Sequence, residues 1–317
     1  MNLPGDSSIE TAGAGPAGQI AFANPRSHSI LSDGRRLNVL EWGDPAKPAV
    51  MLIHGLRDHA RSWDWIANEL AADYHVFAPD LRGHGDSDWA GAGSYGIANY
   101  IIDLADIMDA LGLERLALVC HSLGGVLGLR LAAAFPERIG AFCGIECIEL
   151  PIVRDDQIRP TPFPVRLRGW IDEERKRRAR LPRSYSSLAA ATERMQQEQP
   201  LLDHQTIMHL ARHAIVTNPD GSVRWKFDPA VRPRAPEDAK GHDLDDILDA
   251  ISCPVLLAYG DASWIPIPSE KRLARLRDHR VVTFAGASHW LHHQCREDFL
   301  RETREFLKSR FESPDHA

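Results

Sequence analysis

The fold is decided by Leu116-Ala117-Leu118-Val119-Cys120-His121-Ser122-Leu123-Gly124-Gly125-Val126. The first half of this stretch is a continuous apolar run typical of a buried strand, and a helix-forming run follows directly. A serine at such a strand-to-helix bend predicts a nucleophile elbow, in which a strained backbone holds the hydroxyl clear of the sheet. Gly124 is the small residue that the bend needs after the serine, whereas Cys120 stands where glycine is usual before it. We therefore predict that Ser122 is a nucleophile.

Further apolar runs predict the other strands of a sheet. Continuous runs at Ala49–Ile53, Val76–Ala78 and Val255–Ala258 are typical of parallel strands that helices cover on both faces. Asp33-Gly34 separates two shorter runs and predicts the turn of an antiparallel hairpin. Apolar residues recur at helical spacing from Ile97 to Leu111, so strand and helix alternate. This alternation predicts a doubly wound α/β fold.

The pattern divides the chain into three parts. Residues 1–25 are rich in Gly, Ala and Ser and predict a flexible tail. Residues 151–242 lack a buried strand run and predict a helical cap, inserted into an α/β core of residues 26–150 and 243–317. Within the cap, Asn218-Pro219-Asp220-Gly221 predicts a turn. The predicted cap helices lie near Ile171–Leu181, Ser187–Gln199 and Asp203–Ile215.

Composition argues against several classes of partner. The formal net charge of −7 and the sequence pI near 6.1 disfavour a nucleic acid, which would require a basic surface. The basic run Arg175–Arg180 is typical of a solvated helix face. No stretch has the ~18 consecutive apolar residues of a membrane-spanning helix, so we expect no membrane association.

The cysteines also indicate a compartment and a site class. They are odd in number and most lie in apolar runs, which suits buried thiols in a reducing, cytoplasmic compartment. No C-x-x-C pair and no compact His/Cys cluster with zinc-ligand spacing is apparent. We therefore expect no metal site, and nothing in the sequence indicates a cofactor.

A second motif precedes the elbow and points to a family. Leu52-Ile53-His54-Gly55-Leu56 ends a strand with His-Gly, and Ala78–Ser87 follows the next strand. With the elbow, these stretches resemble the α/β-hydrolase family over nearly the whole chain. The resemblance implies a mostly parallel eight-stranded sheet flanked by helices, and it gives Ala78–Ser87 a scaffolding role. It also implies an oxyanion hole made by the backbone N–H groups of Leu56 and Leu123.

The same resemblance implies where the general base lies. In the family the histidine follows the last strand, which here is Arg280–Phe284. His289 stands at that position, just before the final amphipathic helix. His292 and His293 fall at the start of that helix, and we expect them to be surface or packing residues.

The triad acid has two candidates. The usual family position, three residues after Gly260, holds Ser263, which cannot steady an imidazolium as a carboxylate does. Asp261 lies two residues earlier. Glu146 ends the preceding strand, in a segment that resembles haloalkane dehalogenases and some lactone hydrolases, whose acid lies on that strand. We favour Glu146 and keep Asp261 as the alternative, and Glu146 could instead cap a helix or anchor the cap.

The nucleophile limits the chemistry. Haloalkane dehalogenases and epoxide hydrolases attack carbon with a carboxylate, and the alkyl ester that forms is then hydrolysed. The alkoxide of Ser122 would leave a stable ether at such a carbon, whereas at a carbonyl it gives an acyl-enzyme that water can cleave. We therefore predict a serine hydrolase of a small-molecule carboxylic ester or lactone.

Aromatic residues predict the substrate pocket. We expect Trp170 of the cap to line it together with Trp264 and Trp290 of the core, although such residues also commonly hold helices together. Other cap residues that could contribute are Phe163, Met195, Met208 and Trp225. Two alternatives stay open: carbon–carbon bond hydrolysis or perhydrolysis by the same triad, and a non-catalytic ligand-binding protein on the hydrolase scaffold.

Overall fold

A computed structural model of the chain describes residues 24–91, 93–148, 162–231 and 241–312. The predicted tail therefore lies outside the described residues up to residue 23. The same is true of residues 151–161 and 232–240 of the predicted cap. We call residues 162–231, the long continuous part of the predicted cap that is described, the cap segment.

One large sheet organises the core. The strands of the described chain are β1 (Arg26–Ser32), β2 (Arg35–Trp42), β3 (Ala49–Ile53), β4 (His75–Pro79), β5 (Leu116–His121), β6 (Ile139–Ile145), β7 (Ser184–Tyr185), β8 (Ile215–Thr217), β9 (Val223–Trp225), β10 (Val255–Gly260) and β11 (His279–Phe284). Eight of them form a sheet in the order β1-β2-β4-β3-β5-β6-β10-β11. β2 pairs antiparallel with β1 and β4, and the other pairs are parallel. This topology confirms the predicted eight-stranded, mostly parallel sheet.

Helices cover both faces of this sheet. They are α1 (Asp64–Leu70), α2 (Ile97–Ala110), α3 (Leu123–Ala134), α4 (Phe163–Arg178), α5 (Leu188–Glu198), α6 (His204–Ala214), α7 (Gly241–Ala250), α8 (Glu270–Leu273), α9 (Leu291–Gln294) and α10 (Arg296–Arg310), with a 3₁₀ turn at Ala60–Trp63 before α1. No helix among the described residues is both long and apolar enough to cross a membrane.

The strands bury alternate residues in two separate apolar layers. In β3, Met51 packs with α2, α3 and α7, whereas its neighbour Leu52 packs with α1 and α10. Leu118 and Val119 of β5 divide in the same way. Each such side chain contributes about 1.5–3 kcal/mol when it leaves water. Burial on both faces explains why the central strands are continuous apolar runs rather than alternating ones.

The two predicted turns have the expected backbone. Asp33 and Gly34 have φ values of 45° and 72°, so both central residues of the β1–β2 hairpin are left-handed, as its tight turn requires. In the cap segment, Gly221 has a φ of 84° and its N–H donates to Asn218 O at 3.0 Å. This turn joins β8 to β9.

The cap segment is not purely helical. It holds α4, α5 and α6, close to the predicted helices, and also a small antiparallel sheet in the order β7-β9-β8. The sequence analysis predicted no strand there. The three strands are two or three residues long, too short to give an alternating or apolar pattern.

Candidate active site

The predicted elbow is strained at its serine. Ser122 lies between β5 and α3 with φ 53° and ψ −115°. A non-glycine residue in this region costs on the order of 1–3 kcal/mol, which the surrounding structure must supply. Two hydrogen bonds hold the bend: Ser122 N–H donates to Ile145 O at 2.9 Å, and Val126 N–H donates to Ser122 O at 3.0 Å.

Glycines let α3 approach the sheet at the elbow. A Cβ on Gly124 would lie 2.2 Å from Ile53 O, so any side chain there would collide with the end of β3. A Cβ on Gly128 would lie 2.7 Å from Cys120 Sγ. Glycine at position 128 therefore leaves the space that the Cys120 side chain fills. The departure from glycine at position 120 is accommodated by a glycine on the facing helix.

The His-Gly turn lies directly against Ser122. A Cβ on Gly55 would lie 2.8 Å from His121 Nδ1 and 3.3 Å from Ser122 Cβ, which explains the glycine. Leu56 follows this turn. Leu123 is the first residue of α3, and amides of a first helical turn have no acceptor within their helix. The two amides expected to form the oxyanion hole, those of Leu56 and Leu123, thus lie on two segments that meet at Ser122.

His54 fastens the turn to its neighbours. Its Nδ1–H donates to Gly55 O at 2.7 Å, and its Nε2 accepts from Leu81 N–H at 3.1 Å. Burial lowers the pKa of His54 to about 3, so the ring is neutral, as this hydrogen-bond pattern requires. The carboxylate of Asp80 accepts from the backbone N–H groups of Ala60 and Asp86. These contacts are what a scaffolding loop would make.

Glu146 lies beside the predicted base. Its side chain is fully buried, and its Oε2 accepts from His289 Nδ1–H at 2.6 Å. Two further donors serve the same carboxylate: Gly260 N–H reaches Oε1 at 2.8 Å, and Ser263 Oγ–H reaches Oε2 at 2.6 Å. Glu146 has a φ of 47°. The three donors supply the hydrogen bonds that a buried carboxylate needs.

Asp261 serves a different contact. Its side chain is exposed, and its Oδ1 accepts from Gly286 N–H at 2.6 Å. This bond joins the loops that follow β10 and β11. The structure thus brings Glu146, not Asp261, to the imidazole.

His289 is held against the elbow by its neighbour His121. His121 Nε2–H donates to His289 O at 2.9 Å, and the two rings lie 4.7 Å apart. Burial, followed by the imidazole of His289, lowers the pKa of His121 well below its ordinary value, so His121 is neutral. Since His121 directly precedes Ser122, this contact brings the predicted base and the predicted nucleophile to the same end of the sheet. Sequence reasoning missed His121, which had no motif to mark it.

His292 and His293 are packing residues. Both are buried, and their rings lie 4.2 Å apart. The ring of His292 also lies 4.9 Å from that of Trp63. They therefore belong to the packed layer behind the site.

A cavity of about 680 Å³ opens between the core and the cap segment. Leu56, which follows the His-Gly turn, and Trp290, which follows His289, line it from the core, and Met195 and Trp225 line it from the cap segment. Of the aromatic residues predicted for the pocket, Trp264 is exposed and packs 5.3 Å from the His289 ring. Neither Trp264 nor Trp170 of α4 is among the described residues that line the cavity.

Charged side chains also line this cavity. The arginines are Arg57, Arg180, Arg183 and Arg194, and the carboxylates are Asp58 and Glu198. Arg194 pairs with Glu198 at 2.5 Å. Burial raises the pKa of Asp58 to about 7. The cavity wall is therefore net positive near neutral pH.

Comparison with known proteins identifies the family of the chain. The Alpha/beta hydrolase family matches residues 50–302. The 3-hydroxybutyrate-oligomer hydrolase of Cupriavidus necator is 33% identical over 132 residues, covering 35% of this chain and 45% of that protein. Epoxide hydrolase 4 of Mus musculus is 36% identical over 111 residues, covering 35% of this chain and 31% of that protein.

A solved structure gives the same fold over a longer span. The thioesterase domain from the curacin biosynthetic pathway is 25% identical, with a TM-score of 0.76, and the match covers 88% of this chain and 99% of that one. The chain spans between 27% and 45% of the length of the first curated relatives that it matches. The family match, by contrast, extends over most of the sheet and both segments that meet at Ser122. The chain belongs to the α/β-hydrolase family.

Proposed function

We propose that this chain is a serine hydrolase that cleaves a carboxylic ester or lactone through an acyl-enzyme intermediate. The observation that carries the proposal is the buried hydrogen bond between Glu146 Oε2 and His289 Nδ1, at 2.6 Å, behind a strained serine. A nucleophile, a base and an acid that orients the base are the parts that acyl transfer requires.

Each member of this triad has one task. Nδ1–H of His289 is committed to Glu146, so Nε2 is the nitrogen that takes the Ser122 proton during attack on the carbonyl. The resulting imidazolium is stabilised by its hydrogen bond to the Glu146 carboxylate. The imidazolium then protonates the leaving alcohol, and His289 next activates a water that cleaves the acyl-enzyme.

The oxyanion of the tetrahedral intermediate needs its own donors. We assign them to the backbone N–H groups of Leu56 and Leu123. The close approach of Gly55 to Ser122 supports this assignment, because it brings the turn that carries Leu56 to the nucleophile. Loss of one such donor in other enzymes costs about 2.7–4 kcal/mol of transition-state stabilisation.

The cap segment would select the substrate. We propose that residues 151–242 form a cap over a core of residues 26–150 and 243–317, with the cavity between them as the acyl or alcohol site. The names of two relatives, the 3-hydroxybutyrate-oligomer hydrolase and the thioesterase domain, support an acyl substrate. The epoxide hydrolase relative does not, because an alkoxide nucleophile would give a stable ether. The five free thiols favour a reducing, cytoplasmic location.

Active-site labelling tests the proposal directly. A fluorophosphonate should label the parent chain and the Ser186→Ala variant, which removes an exposed serine of the cap segment, but not Ser122→Ala. A panel of p-nitrophenyl esters of different acyl lengths should then be hydrolysed by the same chains that are labelled. An unlabelled parent would favour the ligand-binding alternative. Labelling without turnover of any ester, together with turnover of a vinylogous diketone, would favour carbon–carbon bond hydrolysis.

A further inference from the structure

Three side chains with metal-binding atoms meet where the cap segment contacts the core. His209 and His213 stand four residues apart on α6, so they lie on one face of that helix. Asp64 is the first residue of α1 in the core. One ligand atom from each of the three lies within 4.8 Å of the other two. None of these residues belongs to the proposed catalytic site.

The carboxylate of Asp64 is only half satisfied. Its side chain is fully buried, and Arg61 Nε–H donates to Oδ2 at 2.8 Å. The other oxygen, Oδ1, is buried and has no hydrogen-bond partner in the described part of the chain. A buried carboxylate oxygen without a partner is costly, and a bound cation would remove that cost.

His209 is already oriented toward acceptors. Its Nε2 lies 2.9 Å from Asp64 Oδ2 and 3.1 Å from Arg61 O. Because both neighbours are acceptors, Nε2 carries the proton in the metal-free chain. A metal ion would replace this proton and would find the carboxylate and the carbonyl oxygen beside it.

His213 completes the group. Its ring lies 4.7 Å from that of His209 and 6.4 Å from that of His59. An imidazole nitrogen is a common metal ligand. The cations Arg61 and Lys226 lie near His213. They oppose a further positive charge, so they reduce the affinity of the site.

We propose that Asp64, His209 and His213 bind a divalent transition-metal ion, with Zn²⁺ as the preferred ion. Two imidazole nitrogens and one carboxylate suit Zn²⁺, Co²⁺ or Ni²⁺ and disfavour Mg²⁺ and Ca²⁺, which require oxygen ligands. The sequence analysis expected no metal site. No sequence motif marks this group, because Asp64 is far along the chain from the two histidines and only the fold brings them together.

A bound ion would join the cap segment to the core. Two residues of α6, Leu210 and Ala214, line the cavity, and each directly follows one of the two histidines. The ion would therefore hold this wall of the cavity in place and add to the contact in which His59 Nε2–H donates to Leu210 O at 3.1 Å. This role does not depend on ester hydrolysis, since the ion makes no contact with the triad.

Calorimetric titration of the full chain with ZnCl₂ tests the site. We expect one Zn²⁺ per chain, and a dissociation constant raised by about 10- to 100-fold or more in His213→Ala and in His209→Ala. His204→Ala, which removes an exposed histidine from the first turn of α6, should bind like the parent. His289→Ala should also bind like the parent, which separates this site from the triad. Circular dichroism checks that each variant is folded.

Two further measurements make the outcome decisive. Co²⁺ should give visible d–d bands in the parent that are lost in His213→Ala, and MgCl₂ should give no binding heat. Zn²⁺ should also raise the melting temperature of the parent and of Ser122→Ala equally, whether or not esters are cleaved. The proposal is overturned if the parent binds no Zn²⁺, or if Zn²⁺ binds equally well after both α6 histidines are replaced.

Discussion

Ser263 donates its hydroxyl hydrogen to the same carboxylate oxygen of Glu146 that accepts from His289, and both distances are 2.6 Å. Ser263 stands at the position where the family resemblance led us to expect the triad acid. Its hydroxyl instead donates to the carboxylate of Glu146, which follows another strand. The relationship explains how the Glu146 carboxylate can be fully buried and still be satisfied.

The choice of acid can be tested by neutral, isosteric replacement. Glu146→Gln should lower kcat on an activated ester by about 10⁴-fold, because an amide cannot stabilise the imidazolium and favours the wrong tautomer. Asp261→Asn is the matched control and should have only a modest effect, since its carboxylate bonds to the Gly286 amide. Steady-state kinetics measure both. A large loss in Asp261→Asn with little change in Glu146→Gln would reverse the assignment.

A carboxylate at position 263 should be able to replace that of Glu146. Ser263 Oγ and His289 Nδ1 now bond to the same oxygen of Glu146. In the double variant Glu146→Gln with Ser263→Asp, the new carboxylate would therefore lie close to His289 Nδ1. We expect the double variant to recover about tenfold or more of the kcat lost in Glu146→Gln alone. The control is Glu146→Gln with Ser263→Ala, which should recover nothing. Equal kcat values in the two folded double variants would show that position 263 cannot supply an acid.

Close packing at the elbow predicts a loss of stability. Gly124→Ala should lower the free energy of unfolding by about 1–3 kcal/mol or more, because its Cβ would lie 2.2 Å from Ile53 O and the backbone must shift. Gly169→Ala is the control: this helical glycine has open space around it, so alanine should raise stability by up to about 1 kcal/mol. Urea unfolding measures both changes. An unaffected Gly124→Ala chain would contradict the close approach of α3 to β3.

Asp58 should make stability depend on pH. Burial raises its pKa from the ordinary 3.8 to about 7, so the folded chain binds more protons than the unfolded chain between these values. The contribution of this group to stability is therefore favourable at low pH and is lost as pH rises from about 4 to 7. Since the side chain is partly exposed, we expect the loss to be about 1–2 kcal/mol rather than the full linkage value.

The Asp58→Asn variant isolates this effect. It cannot ionise, so its free energy of unfolding should fall less than that of the parent between pH 4 and 7. Urea titrations of both chains at several pH values give the difference. Parallel pH profiles for the two chains would show that Asp58 titrates in the folded protein as it does in the unfolded one.

Local patterns in the sequence were enough to predict the core. Apolar runs mark strands buried on both faces, and helical spacing marks the elements between them, because each pattern reflects the environment of consecutive residues. The same holds for the elbow, where a serine with a glycine two residues later encodes the strained bend itself. The short strands of the cap segment could not be predicted, because two or three residues carry no period.

The choice between carboxylates required the tertiary structure. Parallel pairing places Ile145 beside Ala258, so the residue that follows β6 reaches the amide of Gly260 and the loop that carries Ser263. No local pattern encodes this register. The group of Asp64, His209 and His213 arises in the same way, from the contact of a cap helix with the core.

The sequence by itself thus determined the α/β class, the strained bend at Ser122 and the position of His289 after the last strand, since each depends on neighbours along the chain. Only the tertiary structure decided which acid meets His289, what Ser263 donates to, and which side chains line the cavity. The physical reason is that a hydrogen bond or a metal ligand is set by distance in space, and parallel strands bring together residues that are far apart in sequence.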